Sequence, residues 1–154
     1  MIKQKIYPCL WFDDQAEEAA KFYVSVFKNS RILETVPYLT QTPSNKPVGS
    51  VLTVSYELNG QKFLALNGGP FFKINEAVSF VIECQDQEEI DYYWEKLSAV
   101  PESEQCGWCK DKFGVSWQVV PENIDELTKT KGGMEALLNM HKIDIQKLQD
   151  CAGE

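Results

Sequence analysis

Apolar and polar positions along the chain alternate with period two in some stretches and near 3.6 in others, and the order of the two patterns organises the sequence. Residues 4–12 form an apolar, aromatic run suited to a strand, with Tyr7, Cys9 and Trp11 on one face and Ile6, Leu10 and Phe12 on the other. Both faces therefore need covering. Ala16, Ala19, Ala20, Tyr23, Val24 and Phe27 then recur at helical spacing, behind Asp13 or Asp14 as N-cap and with Glu17 and Glu18 in the first turn. The helix ends near Lys28-Asn29. Strands are predicted from Arg31 to Tyr38 and from Ser50 to Leu58, with a loop holding two prolines between them. Asn59-Gly60 is the strongest turn signal in the chain, because Asn-Gly accepts the positive φ angles of a two-residue type I′ hairpin. The returning strand, Phe63 to Asn67, stops at Gly68-Gly69-Pro70.

The same order then begins again. Ala77 to Cys84 reads as a strand, and Asp86 to Ser98 as a helix with Ile90, Tyr93, Trp94 and Leu97 on one stripe. Gln105 to Lys110 and Val115 to Val120 read as the last strands, joined by Asp111-Lys112-Phe113-Gly114, with a further short strand around Pro101 to Glu104. The pattern implies a repeat of roughly 70 residues, the size of a whole supersecondary unit. Past Pro121 it changes to helices over Glu122–Thr128, Met134–His141 and Ile145–Cys151, broken at Lys131-Gly132-Gly133. Met134, Leu137, Leu138 and His141 fall on one stripe that is expected to pack on the sheet. The organisation expected is one α+β domain over residues 1–154, with module one at 3–70, module two at 75–121 and a helical extension at 122–152.

Charge narrows the partners. With 15 basic and 23 acidic residues the net charge is -8, which repels nucleic acid and anionic membrane surfaces. No window approaches the ~18 apolar residues of a membrane span, and Met1 to Ile6 carries no apolar run of signal-peptide length. A cytoplasmic protein is expected, with no membrane and no nucleic-acid partner. The five cysteines lack the regular spacing of a disulfide scaffold and read as reduced thiols. Cys106-Gly107-Trp108-Cys109 has CxxC spacing, but it lies in a hairpin strand rather than at a helix start, and no second CxxC completes a zinc ribbon. It reads as ordinary packing, as do Cys9 and Cys106. His141, the only histidine, reads as a helix-end residue against terminal carbonyls.

Asn67 and Gln118 are the polar residues whose strand positions stand out. Parity groups Asn67 with Phe63 and Ala65, and Gln118 with Ser116 and Val120, leaving Leu64, Leu66, Trp117 and Val119 for the helix side. One reading puts both amides in the polar floor of a cavity enclosed by the two modules. The other has Asn67 capping the Gly68-Gly69 turn and Gln118 bonding to a neighbouring strand.

Leu10-Trp11-Phe12-Asp13, Ala16-Glu17-Glu18-Ala19, Phe22-Tyr23, Leu66-Asn67-Gly68-Gly69-Pro70, Asn75-Glu76-Ala77-Val78-Ser79-Phe80, Gln105-Cys106-Gly107-Trp108 and Gly114-Val115-Ser116-Trp117-Gln118-Val119-Val120-Pro121 together carry a resemblance. From about residue 3 to residue 150 the chain resembles the PhnB-like branch of the vicinal oxygen chelate superfamily, the glyoxalase, bleomycin-resistance and extradiol-dioxygenase group. The branch often bears the label 3-demethylubiquinone 3-methyltransferase-like. The resemblance implies two βαβββ modules forming a curled mixed-sheet cup with helices outside, and a homodimer. It also implies metal ligands near Tyr7, Asn67, Ala77 or Glu76, and Gln118. Those positions offer no imidazole, so no metal is expected and no cofactor; Glu76 with Gln118 is the one pair left to hold a cation loosely.

The expectation is a small-molecule-binding protein with a small organic ligand at Tyr7, Trp11, Asn67, Glu76, Trp108 and Gln118, the aromatic residues forming stacking walls. The alternative is a lyase, isomerase or dioxygenase-like enzyme acting on a small organic substrate. Methyl transfer of the usual kind is not expected, since it needs a glycine-rich loop in a doubly wound fold to hold the methyl donor.

Overall fold

The structure is a computed structural model that describes residues 3–153. The chain divides into two compact units, Met1–Ile74 and Asn75–Glu154. In the first, β1 (Cys9–Phe12), α1 (Ala16–Val26), β2 (Arg31–Pro37), β3 (Val51–Leu58) and β4 (Gln61–Asn67) follow in the predicted order. The sheet runs β1-β4-β3-β2, with β1 parallel to β4 and the other pairs antiparallel. Asn59 and Gly60 adopt φ of 50° and 80°, the predicted type I′ turn between β3 and β4.

One face of this sheet packs on α1. Ala16, Ala19, Ala20, Tyr23 and Val26 are the buried helix positions, with Val26 replacing the expected Val24 and Phe27. Tyr23 stacks on Tyr56 at 6.3 Å and Tyr56 on Phe63 at 5.5 Å, so an aromatic column ties the helix to β3 and β4. That column decides the strand faces. Phe63, Ala65 and Asn67 point to the helix and are buried, while Leu64 and Leu66 point away and are half-buried, the reverse of the predicted assignment for this strand.

The second unit departs from the expected module by one strand. It comprises β5 (Ser79–Cys84), α2 (Gln87–Leu97), a 3-10 turn (Pro101–Ser103), β6 (Trp108–Lys110) and β7 (Ser116–Pro121), in a sheet ordered β5-β7-β6. The short strand expected around Pro101 to Glu104 is that 3-10 turn, and Gln105 makes only an isolated bridge to Trp108. Between them, Cys106 (φ 55°) and Gly107 (φ 86°) form a second type I′ turn, so β6 starts three residues later than predicted. Ile90, Tyr93 and Leu97 of α2 are buried, and Asp86 caps the helix by accepting from the Glu89 N–H at 2.9 Å. Buried Asp111 accepts from the N–H groups of Phe113 (2.8 Å) and Val115 (3.1 Å) and from Nε1 of Trp117 (2.8 Å), which shapes the β6–β7 turn.

The extension holds α3 (Ile124–Leu127), α4 (Lys131–Leu138) and α5 (Ile145–Ala152). Lys131-Gly132-Gly133 begins α4 instead of breaking it: Thr130 caps the helix by accepting from the Gly133 N–H at 3.1 Å. A Cβ at Gly133 would lie 1.9 Å from the carbonyl oxygen of Leu127, so glycine is there for close approach. The predicted apolar stripe is not what packs. Met134 and Leu138 are exposed, and Met140, Ile143 and Leu148 supply the buried contacts.

Gly133→Ala tests that close approach. Alanine in a roomy helix is stabilising by up to ~1 kcal/mol, whereas here the steric clash lowers stability by about 1–3 kcal/mol in urea unfolding. An unchanged or raised midpoint would show that α4 does not start against Leu127.

Candidate functional site

Each sheet carries a helix on one face and leaves residues of the other partly exposed. In the first unit Cys9, Trp11, Leu64, Leu66, Thr53 and Ser55 share that second face through the β1–β4 and β3–β4 registers. Tyr7, just before β1, has its ring 4.1 Å from Nζ of Lys62, a cation–π contact at the same face. Trp11 is fixed rather than free to rotate. Its Nε1 donates to the Gly69 carbonyl at 2.9 Å, Phe72 meets its ring edge-on at 4.9 Å, and a Cβ on Gly68 would fall 2.4 Å from the indole. The Gly-Gly-Pro break thus gives the indole room to lie over the backbone.

Asn67 belongs to the opposite face, which corrects its expected place in a polar cavity floor. Its Oδ1 accepts from the Ala16 N–H at 2.8 Å, and its Nδ2 donates to the Val51 carbonyl at 3.0 Å. The predicted Asp13 or Asp14 cap is absent, because Gln15 is the N-cap residue and makes no side-chain cap bond. Asp13 instead pairs with Lys46 at 2.6 Å, and Asn67 satisfies the helix start from across the sheet. Tyr38 donates its hydroxyl to the Asn67 carbonyl and accepts from Oγ of Ser44 at 2.9 Å, which anchors the 39–50 loop at the same point.

In the second unit the face away from α2 has two rows. Val81, Gln118 and Trp108 are aligned across β5, β7 and β6, and Ser79, Ser116 and Lys110 are aligned beside them. Gln118 donates through Nε2 to Oγ of Ser79 at 2.9 Å, the neighbouring-strand bond considered from the sequence. Glu76 forms an ion pair with Lys110, whose ammonium holds the Glu76 carboxyl below the usual carboxylate range. The six candidate residues therefore fall into three groups: Tyr7 with Trp11, Asn67 alone, and Glu76 with Trp108 and Gln118. Lys110 and Ser79 were missed; their alternation with Trp108 and Val81 in the strands was the signal that placed them on this face.

The donor set does not fit a divalent cation. Asn67 has both ends of its amide engaged, Gln118 bonds to Ser79, and Glu76 already has an ammonium as partner. Among the described residues no three His, Cys, Asp or Glu side chains are grouped to hold a metal ion. His141 lies past the end of α4, and its Nδ1 donates to the Glu104 carbonyl at 2.7 Å, in the loop before β6 and not at the helix terminus expected. All five cysteines are free; Cys9 is exposed on the face away from α1 and so is not a core residue, and Cys106 sits in the type I′ turn. Burial pushes the Cys84 and Cys109 thiols up to about 12.

The family model described as 3-demethylubiquinone-9 3-methyltransferase matches residues 4–120, so the match stops about thirty residues short of the extent the motifs suggested. A PhnB protein from Bacillus cereus, described as a putative 3-demethylubiquinone-9 3-methyltransferase, is 35% identical; the alignment covers 76% of this chain and 99% of that one, with a TM-score of 0.63. A protein from Staphylococcus aureus is 30% identical over 79% of this chain and 100% of its own, with a TM-score of 0.36. Protein PA1353 from Pseudomonas aeruginosa shares the fold at 18% identity, covering 77% and 98% of the two chains with a TM-score of 0.56. No curated protein matches the chain. Among the described residues no helix is long and apolar enough to cross a membrane.

Two outcomes follow from this geometry. Asn67→Ala removes the helix cap and strands the Val51 carbonyl, and costs about 2 kcal/mol in urea unfolding; a loss below a few tenths would show the bonds to be dispensable. In native protein at pH 8, a thiol-reactive disulfide reagent modifies Cys9, Cys106 and Cys151 and spares Cys84 and Cys109, whose thiolates are too scarce to attack until the chain unfolds. Peptide mapping of the labelled protein reads the difference.

Proposed function

We propose that this chain, which belongs to the family described as 3-demethylubiquinone-9 3-methyltransferase, is a small-molecule-binding protein whose organic ligand lies against a sheet face turned away from its helix. One observation carries the reading: on both sheets that face combines an aromatic side chain with small polar groups. Trp11 shares its face with Thr53 and Ser55, which lie across Leu66 and Leu64 of β4, and Trp108 pairs directly with Gln118, whose amide reaches Ser79. Such a mixture of flat apolar area and a few polar atoms is what small-molecule sites commonly present. Trp11 is pre-positioned by Gly69 and Phe72, so binding against it loses little rotamer freedom.

Methyl transfer is not part of the proposal, although the family description names it. Both sheets are small and mixed, and neither is the doubly wound parallel sheet whose first turn cradles a nucleotide-like donor. A homodimer belongs to the reading, supported by the exposed apolar side chains Phe71, Phe72, Leu39 and Val48 in the first unit.

Native mass spectrometry of freshly purified protein, with metal analysis on the same sample, tests the proposal. The expected species is twice the 17.6 kDa of one chain, carrying an organic adduct that is weakened roughly tenfold, about 1.4 kcal/mol, in Trp11→Ala or Trp108→Ala. Stoichiometric metal without an organic adduct would overturn it in favour of a lyase, isomerase or dioxygenase-like enzyme.

A further inference from the structure

We infer that the site on the second unit's sheet selects an organic anion, with Lys110 as its counter-ion and Glu76 as the internal carboxylate that the ligand displaces. The inference rests on the small-molecule-binding reading and adds the charge of the ligand. Lys110 lies on β6 and Glu76 just before β5, and these strands flank β7, so the pair spans roughly 10 Å of sheet. Ser116, the register partner of Lys110 on the intervening strand, is 2% exposed although it lies on the face away from α2, as expected beneath a lysine stem reaching towards Glu76. The ion pair forms a polar bar along one side of the Val81–Gln118–Trp108 row.

The polar atoms next to that row suit a ligand that carries an acid group and a donor beside it. The Ser79 hydroxyl accepts from Gln118 and has its own hydrogen left to donate. The side-chain Oε1 of Gln118 takes no partner among the described residues and is open to an N–H or O–H beside the acid. Val81 and Trp108 give the flat apolar body a place to lie, Val81 being 56% exposed. Glu76 demonstrates the selectivity by occupying it: a carboxylate already sits on the ammonium. It is a replaceable one, since its side chain is 60% exposed against 21% for Lys110, and exposed ion pairs contribute little. The acidic surroundings do not reverse the preference. Glu83, on the same face, is four residues along β5 from Ser79, roughly 13 Å away, and the net charge of -8 acts through a Debye length of about 8 Å at physiological salt.

The test uses two probes with one body, 1-naphthoate and 1-naphthamide, titrated into the 15N-labelled full chain while the Trp108 indole N–H resonance is followed. That resonance is identified from Trp108→Phe. Naphthoate is expected to shift it and to bind at least tenfold tighter than naphthamide. Lys110→Gln should weaken naphthoate tenfold or more and leave naphthamide unchanged, Lys110→Arg should retain naphthoate binding, and Glu76→Gln should tighten it several-fold. Preserved dispersion of the spectrum confirms that each variant is folded. Equal affinity for the two probes, unaltered naphthoate binding in Lys110→Gln, or shifts at Trp11 without Trp108 would overturn the inference alone. Failure of both probes to move any resonance would overturn the small-molecule reading with it.

Discussion

The amide of Asn67 is the joint on which the first unit depends. A helix starts with N–H groups that have no partner within the helix, and the usual remedy is a side chain one residue upstream. Here the remedy comes from the end of β4, fifty-one residues later in sequence, and the same side chain donates to Val51 at the start of β3. One buried group therefore sets the height of α1 on the sheet and the alignment of β3 with β4. Tyr38 adds its hydroxyl to the Asn67 carbonyl, so β2 and the loop after it are referred to the same point. A residue with those partners is held by architecture, and chemistry has to be sought on the other face of the strand.

That division of faces follows from which aromatic residues stack. Phe63 joins Tyr56 and Tyr23 under the helix, which commits Asn67 to the same side and turns Leu64 and Leu66 outward. In the second unit Trp117 is drawn under α2, with Asp111 accepting its indole N–H, and this turns Gln118 and its neighbours Trp108 and Val81 away from the helix. The two sheets thus solve the same covering problem with different residues. Gln118 ends on the face away from its helix; Asn67 ends beneath its helix.

The local grammar of the chain was legible because its signals are short-range. Asn59-Gly60 admits one kind of hairpin, the alanines of α1 and the Ile90-Tyr93-Leu97 spacing have helical period, and strand parity is fixed by alternation alone. Which parity class met the helix in β4 was not legible, since Leu64 and Leu66 are as apolar as Phe63 and Ala65 and only stacking with Tyr56 separates them. The cap on α1 was hidden for a related reason: Asp13 and Asp14 have the right chemistry at the right place, but Lys46 claims Asp13 from the loop before β3, a long-range pairing that no local pattern reveals. Gly132-Gly133 misled in the opposite direction, reading as a break where the backbone of Leu127 requires a residue without a side chain. Trp11 shares a face with Cys9, and Gln118 lies on the face away from Trp117 and Val119, as parity alone predicts. Lys110, the cation beside Trp108 and Gln118, drew no notice because a lysine on a short strand is unremarkable until its partner is known.

Residues beyond the family match take part in shaping that second face. Cys106 holds a positive φ, a conformation costing a non-glycine residue roughly 1–2 kcal/mol, and something must offset it. The N–H groups of Cys106 and Gly107 donate to the carbonyls of Met140 and His141, both in the extension, at 2.7 and 2.8 Å. Ile143 presses on Gly107 so closely that a Cβ there would stand 2.8 Å from its Cδ1. Gln87 at the start of α2 donates to the Ile143 carbonyl and accepts from the Ile145 N–H, which fastens the extension to the helix behind the sheet. The type I′ turn that delivers Trp108 into the row beside Gln118 is therefore braced by residues 140–145. The matched region supplies the sheet and its side chains, and the extension fixes the turn from which the aromatic wall rises. The extension thus belongs to the structural support of the proposed site.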